Sequence, residues 1–234
     1  MSSWTPTRPA AHDAAEADRH FAAYAAHELR GEIALQRALA EVALGDPNAG
    51  RTTLREMGQR VVVACERQER LLAALLTLSR SRCGSLPREP VDLAATAAEV
   101  LRASDHHGLA STTAFEPAWT SGDPELLERL VVNLVTNAIR HNVAGGRFDI
   151  ATDNAAGRAV LTIANTGPVI PPGELTRLFQ PFERLGARRG SAADGAGLGL
   201  AIVQAIVSSH GASLAAQPRA GGGLRIDVAF PALE

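Results

Sequence analysis

Apolar residues recur at helical spacing through the first third of the chain. Phe21, Tyr24, Leu29, Ile33, Leu35, Leu39 and Val42 form an irregular stripe between about Asp13 and Leu44, which predicts an amphipathic helix. GDPNAG (45–50) breaks the pattern. From Arg51 to about Ser81 a second stripe follows, with Leu54, Met57, Val61, Cys65, Leu72, Leu75 and Leu78 near a seven-residue repeat, so a helical hairpin is expected. Two helices of this length cannot hide their apolar faces from water alone, and pairing with a second copy into a four-helix bundle is the simplest solution.

Around CGSLPREP (83–90) glycine and proline end helical propagation and the pattern shortens, which places a domain boundary there. Beyond it, VDLAATAAEVLRAS (91–104) reads as a helix. Asp123 and Pro124 supply an N-cap and a first-turn residue for another, running to about Arg140. RFDIAT (147–152), AVLTIAN (159–165) and LRIDVAF (224–230) alternate or run β-branched between glycine-bearing turns and read as strands. The organisation expected is a tail without fixed structure (1–12), a helical hairpin (13–83), a linker (84–90) and a mixed α/β domain (91–234).

The 234 residues, 46% of them apolar and 4% aromatic, are enough to bury a core. A net charge of −2 with scattered arginines leaves no electrostatic footprint for nucleic acid. All 23 basic residues are arginine, which excludes any chemistry that needs a lysine, including the phosphate-loop lysine and Schiff bases. Cys65 and Cys83 lack metal-ligand spacing and fit a reducing compartment. No run approaches the roughly 18–20 apolar residues that would span a membrane. A soluble, cytoplasmic chain is expected, with membrane attachment only through a segment upstream of it.

Candidate chemistry lies in the second half. Gly195, Gly197 and Gly199 stand directly before the apolar helix-like run 201–210; glycine lets backbone N–H groups close on phosphate oxygens, and the helix dipole behind them favours an anion. Asn133 and Asn137 are four apart, on one helix face, with Arg140 and His141 a turn further on. Amide oxygens suit a hard cation such as Mg²⁺ that takes its other ligands from substrate phosphate. Asn165 can accept a hydrogen bond from an exocyclic amine such as that of adenine, and Gly167 lets a base approach the backbone. Phe179 and Phe182 are three apart, ahead of an arginine- and glycine-rich loop whose cations can close on phosphates.

The order HELR (27–30), NLVTNAIRHN (133–142), NTG (165–167), LFQPF (178–182) and GAGLGL (195–200) resembles the kinase core of bacterial two-component sensor histidine kinases. The resemblance implies a dimerising, phosphoacceptor hairpin followed by a Bergerat-type α/β sandwich that binds ATP, the GHKL-type fold shared with DNA gyrase and the large heat-shock chaperones. It implies His27 as phosphoacceptor, Glu28 as its polarising base, Asn137 as Mg²⁺ ligand and Asn133 beside the phosphates. The stretch Gly195 to Leu200, including Gly197, Leu198 and Gly199, would line the triphosphate; Arg140, His141, Asn165, Gly167, Phe179 and Phe182 are the remaining nucleotide-binding positions it suggests. The function implied is autophosphorylation of His27 and transfer of the phosphoryl group to an aspartate on a response regulator, by a homodimer.

Two departures from that pattern carry expectations of their own. Asn165 stands where aspartate is usual, and Val169 where a second glycine is usual; an amide forgoes the charge that roughly doubles such a bond. This predicts modest ATP affinity and tighter binding on Asn165→Asp. Gly31 and Glu32 replace the usual threonine and proline, and glycine has no group to position water, which predicts weak phosphatase activity and a gain on Gly31→Thr. A poorly active scaffold that dimerises and docks a regulator, and a non-histidine ATPase or serine kinase of the same superfamily, are the alternative readings.

Overall fold

In the computed structural model of the chain, the residues described are 31, 33–34, 36–38, 40–45, 50–82, 87–106, 108–171, 173–181, 183 and 197–233. The expectations for the tail 1–12 and for His27, Glu28, Phe182 and Gly195 lie outside them. The chain divides into two compact units, Pro9–Leu76 and a second that includes Thr77–Glu234.

In the first unit, helical residues between 31 and 45 precede α1 (Arg51–Arg82), whose residues from Thr77 on fall in the second unit. Gln36 Nε2 lies 3.6 Å from Cys65 Sγ, so the two helical stretches run side by side. A local pair between Arg37 and Glu41 at 2.7 Å links adjacent turns of the leading stretch. Val42 is 74% exposed and Leu44 80%, and Ile33, Leu54, Val62, Val63 and Leu72 are exposed as well. This unit therefore exposes several large apolar side chains on both helical stretches.

In the second unit, aspartate caps start two of the helices. Asp92, at the end of β1 (Glu89–Asp92), accepts from Ala94 N at 3.0 Å and caps α2 (Leu93–Ala103). Glu89 and Pro90, inside the stretch read as linker, already pair antiparallel with Gly122 and Ser121 of β3 (Trp119–Gly122). Asp123 Oδ1 accepts from Glu125 N and Leu126 N at 3.1 and 3.2 Å, and Pro124 fills the first turn of α3 (Pro124–Arg140). That start and stop match the sequence expectation for this helix.

The remaining elements are β2 (Ala110–Phe115), β4 (Arg147–Ala155), β5 (Arg158–Asn165), α4 (Glu174–Arg177), α5 (Gly199–Ser209), β6 (Ser213–Pro218) and β7 (Leu224–Pro231). They form a five-stranded sheet in the order β2-β4-β5-β7-β6, parallel only between β2 and β4. Strand alternation decides which face is covered. Phe148, Ile150, Leu161, Ile163, Ile226, Val228 and Phe230 are buried beneath the helices, whereas Asp149, Thr162 and Asp227 lie on the other face, half-exposed. Helix α3 carries Leu127, Leu130, Val131, Leu134 and Val135 into the same core. One layer of helices on one antiparallel-rich sheet results.

Four strands escaped the sequence pattern for identifiable reasons. In β2 every residue from Ala110 to Ala114 is exposed, so no alternation marks it. Strands β1 and β3 are four residues each, and β6 is built from small residues, with only Leu214 and Ala216 buried. Pairing with a neighbour, not composition, makes them strands.

Candidate functional site

Helix α3 organises the site because its successive turns face different partners. Near its middle, Asn133 gives its Nδ2 to Arg129 O at 2.7 Å, which leaves Oδ1 as an acceptor. A Cβ added to Gly199 would sit 3.3 Å from that oxygen, so the amide faces the start of α5. One turn on comes Asn137, half-buried, whose carbonyl accepts from His141 N at 3.0 Å. One turn further, the His141 carbonyl lies so close to Gly167 that any Cβ there would collide with it. From Asn133 to His141 the helix rises about 12 Å. The stretch spans the distance between the glycine-opened helix and the Asn165 turn.

At the Asn165 turn, backbone approaches backbone. Asn165 is 4% exposed. Its Nδ2 donates to Thr166 O at 2.7 Å and reaches His141 O at 3.5 Å. With the nitrogen committed to carbonyls, the amide oxygen is the atom left to accept, and no described residue donates to it. Gly167, Gly222 and Gly223 crowd together here. A side chain at Gly223 would strike the Asn165 carbonyl and one at Gly222 the Gly167 carbonyl, while Gly223 N donates to Pro168 O at 3.0 Å.

A hydroxyl ties this turn to α3 and β4. Thr166 Oγ1 donates to Asn142 Oδ1 at 2.6 Å and accepts from Arg147 N at 2.8 Å. Asn142 in turn donates to Ala138 O and Arg147 O, both at 3.1 Å. Asn142 and Thr166 lie inside two of the quoted motifs but carry no role of their own in the sequence reading, and Gly222 and Gly223 lie outside every motif. The GGG run at 221–223 and the asparagine just past the end of α3 were the available signals.

The start of α5 differs from an ordinary helix cap. Leu198 offers no side-chain cap, and Gly197 sits at φ +68, a left-handed conformation that favours glycine. Ile202 N is bonded to Leu198 O at 2.9 Å, so the amides of the preceding turn point out of the helix end. Leu198 and Leu200 are buried; they anchor the segment and leave its backbone to face outward.

The other sequence-named positions sort by burial. Phe179 is 2% exposed, a core anchor beyond α4. Arg140 and His141 are exposed. Arg177 bridges Glu174 at 2.9 Å and Glu183 at 2.8 Å, which raises its pKa and binds α4 to the chain after it. Among the described residues no group of three or more His, Cys, Asp or Glu side chains could hold a metal ion, and no helix is long and apolar enough to cross a membrane.

Residues 122–234 match the family model of the histidine kinase-, DNA gyrase B- and HSP90-like ATPases. Sensor protein CutS of Streptomyces coelicolor is 41% identical over 220 residues, 92% of this chain and 53% of that protein. The chain spans about half the length of the curated relatives it matches. Among solved structures, a mycobacterial sensor histidine kinase, MprB, is 30% identical with a TM-score of 0.55, over 62% of this chain and 97% of that one. The histidine kinase ThkA, in a complex with the response regulator TrrA, shares the fold at a TM-score of 0.71 and 20% identity, over 95% of this chain and 64% of that one.

Proposed function

Because the chain belongs to the sensor histidine kinases, with the ATPase domain of that family at its C-terminal end, we propose that it is an ATP-dependent protein histidine kinase acting in two-component signalling. One juxtaposition carries the reading: the Asn133 amide oxygen and the glycine-opened start of α5 face each other, at the opposite end of the Asn133–His141 stretch from the buried Asn165 turn. A purine amine at Asn165 and a phosphate chain at α5 would make use of both ends.

The residues fit the groups the family implies. Asn165 Oδ1, with its Nδ2 held by Thr166 O, is a fixed acceptor for the adenine amine. The outward amides at Gly199 and Leu200 suit phosphate oxygens. Asn133 and Asn137 offer hard amide oxygens on one face of α3, the donor type that suits Mg²⁺ completed by water and phosphate. When bound, Mg²⁺ would supply neutralisation of phosphate charge.

His27 is the proposed phosphoacceptor. Its neutral imidazole nitrogen would form the bond to the γ-phosphorus while the bond to ADP breaks, and Glu28 would stabilise the charge the ring acquires. The phosphoryl group then passes to an aspartate of a response regulator receiver domain, as the ThkA–TrrA complex encourages. The exposed apolar side chains, Val42, Leu44 and Val62 among them, favour a homodimer through the hairpin. Gly31 is helical and exposed with nothing within 4 Å of where its Cβ would lie, which favours weak phosphatase activity that Gly31→Thr increases.

Incubation with γ-labelled ATP and Mg²⁺ tests the reading. Acid-labile label that disappears in His27→Gln supports it. Nucleotide binding without label selects a docking scaffold instead, and acid-stable label or free phosphate selects a non-histidine kinase or ATPase.

A further inference from the structure

A buried imidazole, at the far end of the helix that the glycine motif opens, joins the two helices of the site away from that motif. His210 is 2% exposed and closes α5, its backbone N donating to Ile206 O at 3.1 Å. Its Nε2 accepts from Asp123 N at 3.0 Å, the residue that caps α3. Since Nε2 accepts, the ring proton sits on Nδ1, which donates to Ile206 O at 2.8 Å. The ring is held on two further sides. Its edge meets Phe230 at 6.1 Å between centroids, and a Cβ on Gly122 would come within 2.6 Å of it.

Helices α3 and α5 are therefore antiparallel and approach each other at two places, one of them a hydrogen bond. The pin is the bond between Asp123 and His210, and the other contact is Asn133 against Gly199. The intervening rises, ten residues on α3 and eleven on α5, are about 15 and 16.5 Å, so the two helices keep step from one contact to the other. A slip at His210 moves Gly199 by the same amount, since a helix is stiff along its axis.

We propose that His210 is a positioning residue for the nucleotide site: by accepting the Asp123 N–H it sets the register of α5 on α3, and thereby the placing of Gly199 opposite Asn133. The proposal rests on the nucleotide-binding reading above. The charged groups acting on the ring are Asp123, at the head of α3, and Arg88, ahead of β1; Gly122, Leu127 and Phe230 are uncharged. Protonation would turn Nε2 into a donor facing another donor and release the pin.

Two amide variants separate the roles of the ring nitrogens. His210→Asn keeps a donor near Nδ1 for Ile206 O and loses the acceptor for Asp123; His210→Gln reaches the Nε2 position and keeps that acceptor. In the full chain, well below each variant's melting midpoint, His210→Asn is expected to bind Mg²⁺-ATP about tenfold more weakly, the scale of one lost hydrogen bond. Amide exchange around Gly199 is expected to quicken in the same variant without nucleotide, and His210→Gln should stay near the parent in both. Parent-like affinity and exchange in His210→Asn, or equal losses in both variants, would overturn the proposal. If the parent itself binds no ATP, the nucleotide reading fails and the exchange at Gly199 alone decides the register. Should His210→Asn not fold, the unaltered protein answers: its ATP affinity is expected to fall on acidification with the midpoint of the His210 imidazole followed by NMR, and any other midpoint counts against the pin.

Discussion

At the scale of single residues, two side chains act through what they leave available. The committed Asn165 Nδ2 alters the expectation attached to an aspartate there. A carboxylate would set an oxygen where the nitrogen now lies 2.7 Å from Thr166 O, opposing two acceptors. Asn165→Asp is therefore expected to weaken ATP binding by about threefold to tenfold, where the sequence had suggested a gain; calorimetry decides, and tighter binding would return the argument to charge alone. Thr166 is the second case. Thr166→Val keeps the shape but removes the acceptor for Arg147 N–H, while Asn142 Oδ1 keeps Val143 N–H at 3.0 Å; the cost is about 0.5–1.5 kcal/mol, and denaturant unfolding should show that loss of stability.

Elements carry their own liabilities. The hairpin between β4 and β5 turns on Ala156 and Gly157, at φ +52 and +71, the backbone of a turn that prefers Asn-Gly. Alanine pays for the left-handed conformation about 1 kcal/mol. Ala156→Asn is expected to raise stability by roughly 0.5–1 kcal/mol, read as a higher melting midpoint with unchanged nucleotide affinity. Helix α5 illustrates the converse. Its apolar run was legible from Ala201, but the structure starts it at Gly199, inside the glycine motif, because Leu198 and Leu200 are buried and hold Gly199 in the first turn. Local propensity disfavours glycine there by about 1 kcal/mol; burial of the flanking leucines outweighs it.

For the whole molecule, burial of a titratable group and exposure of apolar surface set the solution behaviour. Burial lowers the His210 pKa below its usual 6.5, with the Ile206 carbonyl opposing. The folded state therefore binds fewer protons than the unfolded state below about pH 6.5, and stability falls as pH drops from there through the lowered value. Thermal midpoints between pH 8 and 5 should decline on the acid side, less so in His210→Gln. The exposed Val42, Leu44 and Val62 predict a dimer. Charge placed there, as in Val62→Glu, is expected to shift the mass seen by light scattering toward one chain while leaving nucleotide binding of the second unit in place.

What the chain determined by itself was whatever rests on short-range physics. The cap at Asp123 and Pro124, the helix to Arg140, the alternating strands β4, β5 and β7 and the motif order naming the nucleotide groups all depend on neighbours a few residues away. What only the tertiary structure decided depends on residues distant in sequence. Strands β1, β2, β3 and β6 exist because partners pair with them; Gly222 and Gly223 matter because the Asn165 turn comes down on them; His210 matters because Asp123, 87 positions away, offers it a proton. Periodicity registers which face of an element is apolar, but it holds no record of which element will arrive there, and hydrogen bonds buried between two such elements are therefore the last part of a site to be read from sequence.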